Sequence, residues 1–307
     1  METGWILHEI LREVKKAVVG KDEVILKVLL AGMARGHVLL EDLPGVGKTT
    51  LAVAFSQAMG LPYKRVQFTP DVMPADLTGF TLFRKETGQM EYQPGALMCS
   101  LFLADELNRA SSRTQSALLE AMEEGKVSVD GTTHQIPRPF WVIATQNPEG
   151  AAGTQRLPDS QVDRFLIRLS MGYPDLKSEA EMVRRQRGGS MEPVRQVAEP
   201  RDLEMLQHQT EQVYLSGDVL EYILRLIDGT WHHSEICRGA SPRATLALTA
   251  YSQAMALAHG RDYVIPEDVV AGVRDVLEHR MIYGPRPENS DPLGEILGRV
   301  KAPRLRR

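Results

Sequence analysis

The stretch HVLLEDLPGVGKTTLA, residues 37–52, constrains the fold of this chain more than any other segment. An apolar run passes into a loop with glycines at 45 and 47, then into a helix-forming segment near Lys48. A strand, a glycine-rich loop and a helix in that order make a phosphate cradle. Glycines let backbone N–H groups approach the oxygens, and the helix N-terminus adds a favourable dipole. Lys48 is placed to reach outer phosphates, and the Thr49 hydroxyl to bind magnesium. Average composition gives a chance G-x-G-K-[ST] match in roughly one chain in a hundred of this length. The flanking strand and helix narrow that further. Asp42 stands where the full pattern opens with glycine. The later glycines still form the cradle, so nucleotide binding survives the departure.

A second constraint is LMCSLFLADE, residues 97–106, an apolar run that ends in two adjacent carboxylates. Buried unpaired charge is expensive, so Asp105 and Glu106 need solvent or a cation at that strand end. In a helix-covered parallel sheet, ligands sit at the carboxyl ends of the strands. The strand expected at about 100–104 thus delivers both acids beside the phosphates. Asp105 is expected to hold magnesium through its water shell, since a hard cation prefers oxygen ligands. Glu106 is expected to polarise the attacking water. WVIATQNP is another apolar strand, with Gln146 and Asn147 at its end, and an amide there can position water without adding negative charge. Arginines must balance the charge of a transferred phosphoryl group. Arg164 and Arg243 are candidates, although spacing alone promotes neither.

Further apolar runs at 37–41, 64–68, 141–145 and 165–169 bring the expected strands to five. Helices are expected at 4–19, 21–34 and 48–59 and over SSRTQSALLEAMEE, with Ser111 or Ser112 as cap and Gly125 as stop. This alternation predicts an α/β fold, an αβα core on a parallel sheet. Two segments that alternate about KETG and DG predict inserted hairpins. Beyond GYPD the periodicity is helical, with segments near 201–213, 217–229, 242–258 and 266–279. The expected division is a core over 1–174, a linker helix and loop over 175–197, and an all-helical lid over 198–307 that ends in a basic tail.

A net charge of -4 gives no overall attraction to nucleic acid or an anionic membrane. Two cysteines supply no disulfide framework, which suits reduced thiols in a cytoplasmic protein. The N-terminal segment GWILHEILREVKKAVVG is amphipathic rather than a signal peptide, and no apolar run is long enough to span a membrane.

With these residues in view, the chain resembles the MoxR branch of the AAA+ ATPases. The resemblance runs in order through LLEDLPGVGKTTLA, QFTPDVMPADLTGF, LFLADELNRA, TQSALLEAMEEGKVSVDG, ATQNPEG, LPDSQVDRF, GASPRATLAL and VLEHRM. It implies a five-stranded AAA+ P-loop core, a helical lid and assembly into a homo-oligomeric ring, most often a hexamer. It assigns Pro44, Gly45, Val46, Gly47, Lys48, Thr49 and Thr50 to ATP binding, and Thr49 and Asp105 to Mg2+. Glu106 and Asn147 match the catalytic glutamate and sensor 1. Arg164 matches an arginine finger aimed at a neighbouring subunit, and Arg243 matches sensor 2, acting on its own nucleotide or on a neighbour's. The hairpins resemble the helix-2 insert and the pre-sensor-1 hairpin. Departures are Gln155-Arg156 where the family commonly shows Tyr-Pro, and Arg113 where lysine is frequent. The resemblance also implies chaperone-like remodelling, maturation or metal insertion of a protein client, with a separate von Willebrand factor A domain partner. Two other readings stay open. A nucleic-acid motor would need basic pore loops, and Lys126, His134 and Arg138 offer little, so no nucleic acid is expected. A nucleotide-switched scaffold with little turnover would not need Asp105, Glu106 and Asn147 together.

Overall fold

The computed structural model describes residues 2–42, 45–147, 156–188, 192–287 and 289–304. Pro44 and Gln155 fall outside them. Helices α1 (Glu2–Ala17) and α2 (Asp22–Met33) lead into strand β1 (Val38–Glu41), then α3 (Lys48–Met59) and β2 (Tyr63–Gln67). A short α4 (Pro74–Thr78) opens the first hairpin, β3 (Gly79–Arg84) and β4 (Gln89–Pro94). Strand β5 (Leu101–Asp105) is followed by α5 (Ser112–Glu124), the second hairpin β6 (Lys126–Val129) and β7 (Thr132–Gln135), and β8 (Trp141–Gln146). After α6 (Asp159–Val162) and β9 (Ile167–Leu169) come α7 (Leu176–Gly188), α8 (Pro200–Gln212), α9 (Gly217–Trp231), β10 (Ile236–Arg238), α10 (Pro242–Ala258), α11 (Pro266–Leu277), β11 (Ile282–Tyr283) and α12 (Pro292–Arg299).

Among the described residues, the central sheet has five strands in the order β2-β5-β8-β1-β9, all parallel. Its register decides where the chemistry sits. Gln67 lies opposite Asp105 and Glu41 opposite Gln146, so these strands end at one level. Side chains alternate between two apolar layers, as period-2 geometry requires. Val38, Leu40, Leu101, Leu103, Trp141 and Ile143 pack with α1, α2 and α3, where Phe55 meets Trp141 edge-on at 5.3 Å. Leu39, Phe102, Ala104, Val142 and Ala144 face α5 through Leu118, Leu119 and Met122.

The apolar runs predict five buried strands, but β2 is an edge strand with Lys64, Arg65 and Gln67 exposed. Polar residues on an unpaired edge oppose strand addition, and here they also turn Arg65 toward the site. Helix α5 begins where expected: Ser111 Oγ accepts the Thr114 N–H at 3.3 Å, and Gly125 closes the helix at φ 63°. The second hairpin turns on Asp130 and Gly131, both at positive φ, and Tyr92 of the first hairpin stacks on His134 of the second at 3.6 Å.

The lid is helical, with a short antiparallel ribbon, β10 with β11, that periodicity alone did not reveal. Its buried residues, among them Leu206, Leu226, Tyr251 and Val273, share one apolar cluster with Leu29 and Leu30 of α2. The N-terminal helices therefore pack against the lid as well as the sheet. Among the described residues no helix is long and apolar enough to cross a membrane.

Candidate active site

The glycine loop adopts the conformation its sequence demands. Gly45 and Gly47 have φ of 89° and 97°, a left-handed region that costs glycine little and other residues much. Gly47 caps α3 without any side-chain acceptor, and no acidic residue occupies the first helical turn. Among the described residues no side chain caps this 12-residue helix, and its N-terminal dipole favours an incoming phosphate. Lys48 is buried, its Nζ 2.5 Å from the Asp42 carbonyl oxygen, and burial lowers its pKa.

Asp42, the departure from the full pattern, has a structural role of its own. Its carboxylate accepts hydrogen bonds from Ser170 Oγ at 2.8 Å, from the Gly172 N–H at 3.2 Å and from the Met171 N–H. These bonds tie the start of the glycine loop to the exit of β9, a function that a glycine lacks.

Asp105 is the last residue of β5 rather than the first beyond it. Its Oδ1 accepts from Thr145 Oγ1 at 2.7 Å, and its Oδ2 holds the Arg65 guanidinium at 2.6 Å. The carboxylate is therefore aimed into the cleft and already in contact with a cation. Hydroxyl and carboxylate oxygens from Thr49 and Asp105 are the donor set magnesium prefers, and the cleft brings both to its lining. Among the described residues, no group of three or more His, Cys, Asp or Glu forms a metal site. A divalent ion here would draw its remaining ligands from phosphate oxygens and water.

Glu106 adopts φ 55°, ψ 47°, a strained conformation for a residue with a side chain, at a cost on the order of 1 kcal/mol. Its N–H donates to Thr145 Oγ1 at 2.9 Å, which helps hold the twist. The twist presents the carboxylate to Asn147, whose Nδ2 donates to Oε1 at 3.2 Å, and to Arg109, whose guanidinium donates to Oε2 at 2.8 Å. The Arg109 hydrogen bond, with help from Asn147, holds the Glu106 pKa below the usual carboxylate range against the opposing effect of burial. Glu106 is thus an anion at neutral pH, oriented by two donors and able to accept a hydrogen bond from water. Asn147 is fixed in turn by Asn108, which donates to its carbonyl at 3.1 Å and accepts its N–H at 3.4 Å.

These residues meet in one cleft of about 340 Å³, lined by Gly45, Gly47, Lys48, Thr49, Thr50, Arg65, Gln67, Asp105, Glu106 and Asn147. Arg164 and Arg243 do not line it. Instead, both reach the carboxylate of Glu123 in α5, at 3.2 and 2.6 Å. Sequence reading missed Arg65, Arg109, Asn108 and Thr145. For Thr145 a signal existed, because aligning the ends of the two apolar runs places it beside Asp105. The others depend on tertiary geometry.

Residues 37–167 match the family model described as ATPase family associated with various cellular activities (AAA), and residues 229–297 match the AAA lid domain. YeaC of Bacillus subtilis, an uncharacterized protein, is 42% identical over 304 residues, covering 97% of this chain and 95% of YeaC. Chaperone MoxR1 of Mycobacterium tuberculosis is 38% identical over 285 residues, covering 90% of this chain and 75% of MoxR1. A crystal structure from Cytophaga hutchinsonii, described as that of an ATPase, matches with a TM-score of 0.90 at 34% identity, covering 99% of this chain and 96% of its own. Fold, cleft and kinship together define an AAA+ protein with a P-loop core and a helical lid. Within that class, the chain belongs to the MoxR family of AAA+ ATPases.

Proposed function

We propose that the chain hydrolyses ATP in a magnesium-dependent reaction within a homo-oligomeric ring, and that turnover drives remodelling, maturation or metal insertion of a protein client. The observation that carries this reading is the single cleft that joins the Gly45–Thr50 cradle to Asp105, Glu106 and Asn147. The glycine loop and Lys48 would hold the phosphates, and Glu106 would align water for attack on the γ-phosphorus as the bond to the bridging oxygen breaks. ADP and phosphate leave. Magnesium, held by Thr49 and Asp105, would neutralise phosphate charge.

Arg164 and Arg243 support the oligomeric part of the reading. They lie together on Glu123, away from the cleft of their own subunit, so both would serve the nucleotide of a neighbour. On this reading Arg243, like Arg164, would act across an interface rather than on its own nucleotide. The client role rests on the kinship with chaperone MoxR1. The von Willebrand factor A domain partner rests on the family resemblance alone.

ATPase rate per chain, measured against protein concentration, tests the proposal. We expect the specific rate to rise with concentration, and R164A to lose nearly all turnover while it keeps ATP affinity. A specific rate that is flat with concentration and unchanged in R164A would refute it.

A further inference from the structure

Two arginines that meet one carboxylate, outside their own cleft, need a physical explanation. Glu123 lies in the last turn of α5, Arg164 between α6 and β9, and Arg243 in the first turn of α10 in the lid. Arg164 reaches Oε2 of Glu123 at 3.2 Å, and Arg243 reaches Oε1 at 2.6 Å. Two guanidiniums gathered on one carboxylate repel each other. A carboxylate between them turns that repulsion into two attractions.

Fastening the lid to the core does not explain Glu123, because a more buried device already does so. Asp163 takes Arg280 Nε at 3.0 Å and the Ser241 hydroxyl at 3.1 Å. Arg280, 6% exposed, also donates to the carbonyls of Phe165 at 2.6 Å and Leu166 at 3.0 Å. The Glu123 cluster is far more open, with side-chain exposures of 34% for Glu123, 29% for Arg164 and 47% for Arg243. Ion pairs as exposed as these contribute little to stability. Stability is thus a weak explanation, and orientation a strong one. The carboxylate pairs with one terminal nitrogen of each guanidinium, so it holds the two heads beside one another while each keeps further N–H donors in its plane.

We infer that Glu123 is a positioning residue: its carboxylate holds Arg164 and Arg243 side by side so that their remaining donors converge on one phosphate group presented by a neighbouring subunit. The inference rests on the ring reading above. Glu123 touches neither nucleotide nor water in this scheme and acts only through the two arginines. Because Arg164 belongs to the core and Arg243 to the lid, both arginines meet Glu123 at the lid position that Asp163 and Arg280 hold.

Mixed assemblies separate this inference from the ring reading. An acceptor, R164A, keeps an intact cleft but no finger. A donor, E106Q, keeps its arginines but not the carboxylate that polarises water. Mixing the two should restore turnover at acceptor sites. Donors E106Q/E123A and E106Q/E123Q are then compared with E106Q. We expect E123A to restore at least about tenfold less turnover, since displacing a catalytic group by 1 Å can cost about a hundredfold. E123Q, which keeps an oxygen acceptor but no charge, should fall between. The KM for ATP at acceptor sites should stay constant while kcat falls. Donor melting temperature, incorporation into the assembly and ATP affinity of the donor's own cleft should match those of E106Q. A merely structural role would move those properties instead. Equal restoration by all three donors overturns the inference and leaves the ring reading standing, and so does a loss fully matched by lost incorporation. If the E106Q donor restores nothing, the ring reading fails and takes the inference with it.

Discussion

Replacing Asp42 by glycine would complete the phosphate-loop pattern in sequence, yet the structure predicts a weaker protein. The Asp42 carboxylate is 8% exposed and accepts hydrogen bonds from Ser170 Oγ and from the N–H groups of Met171 and Gly172. Ser170 is exposed and can turn to water, and Gly172 is half-buried, but Met171 is buried and its N–H would lose its acceptor. A buried donor left unpaired costs about 1–3 kcal/mol. The added chain entropy of glycine contributes roughly 0.5–1 kcal/mol. Asp42→Gly should therefore destabilise by about 1.5–4 kcal/mol, and Asp42→Asn by less, since its amide oxygen still accepts. ATP affinity of the folded variant should fall less than about tenfold, because the phosphate donors come from Gly45 to Thr50 and Lys48 meets only the Asp42 backbone carbonyl. Urea unfolding followed by far-ultraviolet circular dichroism, with calorimetric ATP titration alongside, measures both quantities. A D42G protein as stable as wild type, or one that binds ATP more tightly, would refute the argument that this position serves the loop's anchorage.

Two other groups make sharp predictions. His37 is buried, with Nδ1 accepting the Val142 N–H at 3.0 Å and Nε2 directed at the Met122 carbonyl at 3.1 Å, and burial pushes its pKa down to about 4. The unfolded chain takes up a proton near pH 6.5 and the folded one only near 4, so stability falls as pH drops through that window, by about 3 kcal/mol in all. Urea unfolding at pH 7 and pH 5 should show His37→Gln losing about 2 kcal/mol less than wild type over that step; equal losses would contradict the assignment. Burial also raises the Cys99 thiol to about 12, whereas Cys237 is exposed. A thiol reagent at pH 8 should modify one cysteine per native chain, and C237S should abolish that reaction. Two fast thiols would show that the Leu101 end of β5 is open.

Much of the candidate site was legible because its signals are local. The glycines at 45 and 47, the acids that close an apolar strand and the amide that closes another each have a chemical meaning within a few residues of chain. Their convergence follows from parallel strands ending at one level, which alternation with helices already implied. What escaped depends on pairing across the sheet and on side-chain reach. Arg65 reads as an ordinary strand charge until β2 proves to be an edge beside β5. Arg109 acts through the left-handed turn at Glu106, which no propensity predicts. Glu123 looks like one of several solvated acids in EAMEE, and only the fold brings residues 164 and 243 to it. Helix α12 did carry a readable start. Asp291 caps it, accepting the Gly294 N–H at 3.1 Å, with Pro292 in the first turn. The short ribbon β10 with β11 had no comparable signal, since strands of three and two residues are too short for period-2 patterning.

Single-turnover hydrolysis by Glu106→Gln, measured beside ATP binding on the same preparation, tests the central claim most directly. The amide keeps the shape and loses the negative charge that Arg109 and Asn147 orient. Binding should stay within about threefold of wild type while the hydrolytic step slows by at least about a hundredfold, the usual scale of a positioned proton acceptor. Hydrolysis by the variant at the wild-type rate would remove Glu106 from the reaction.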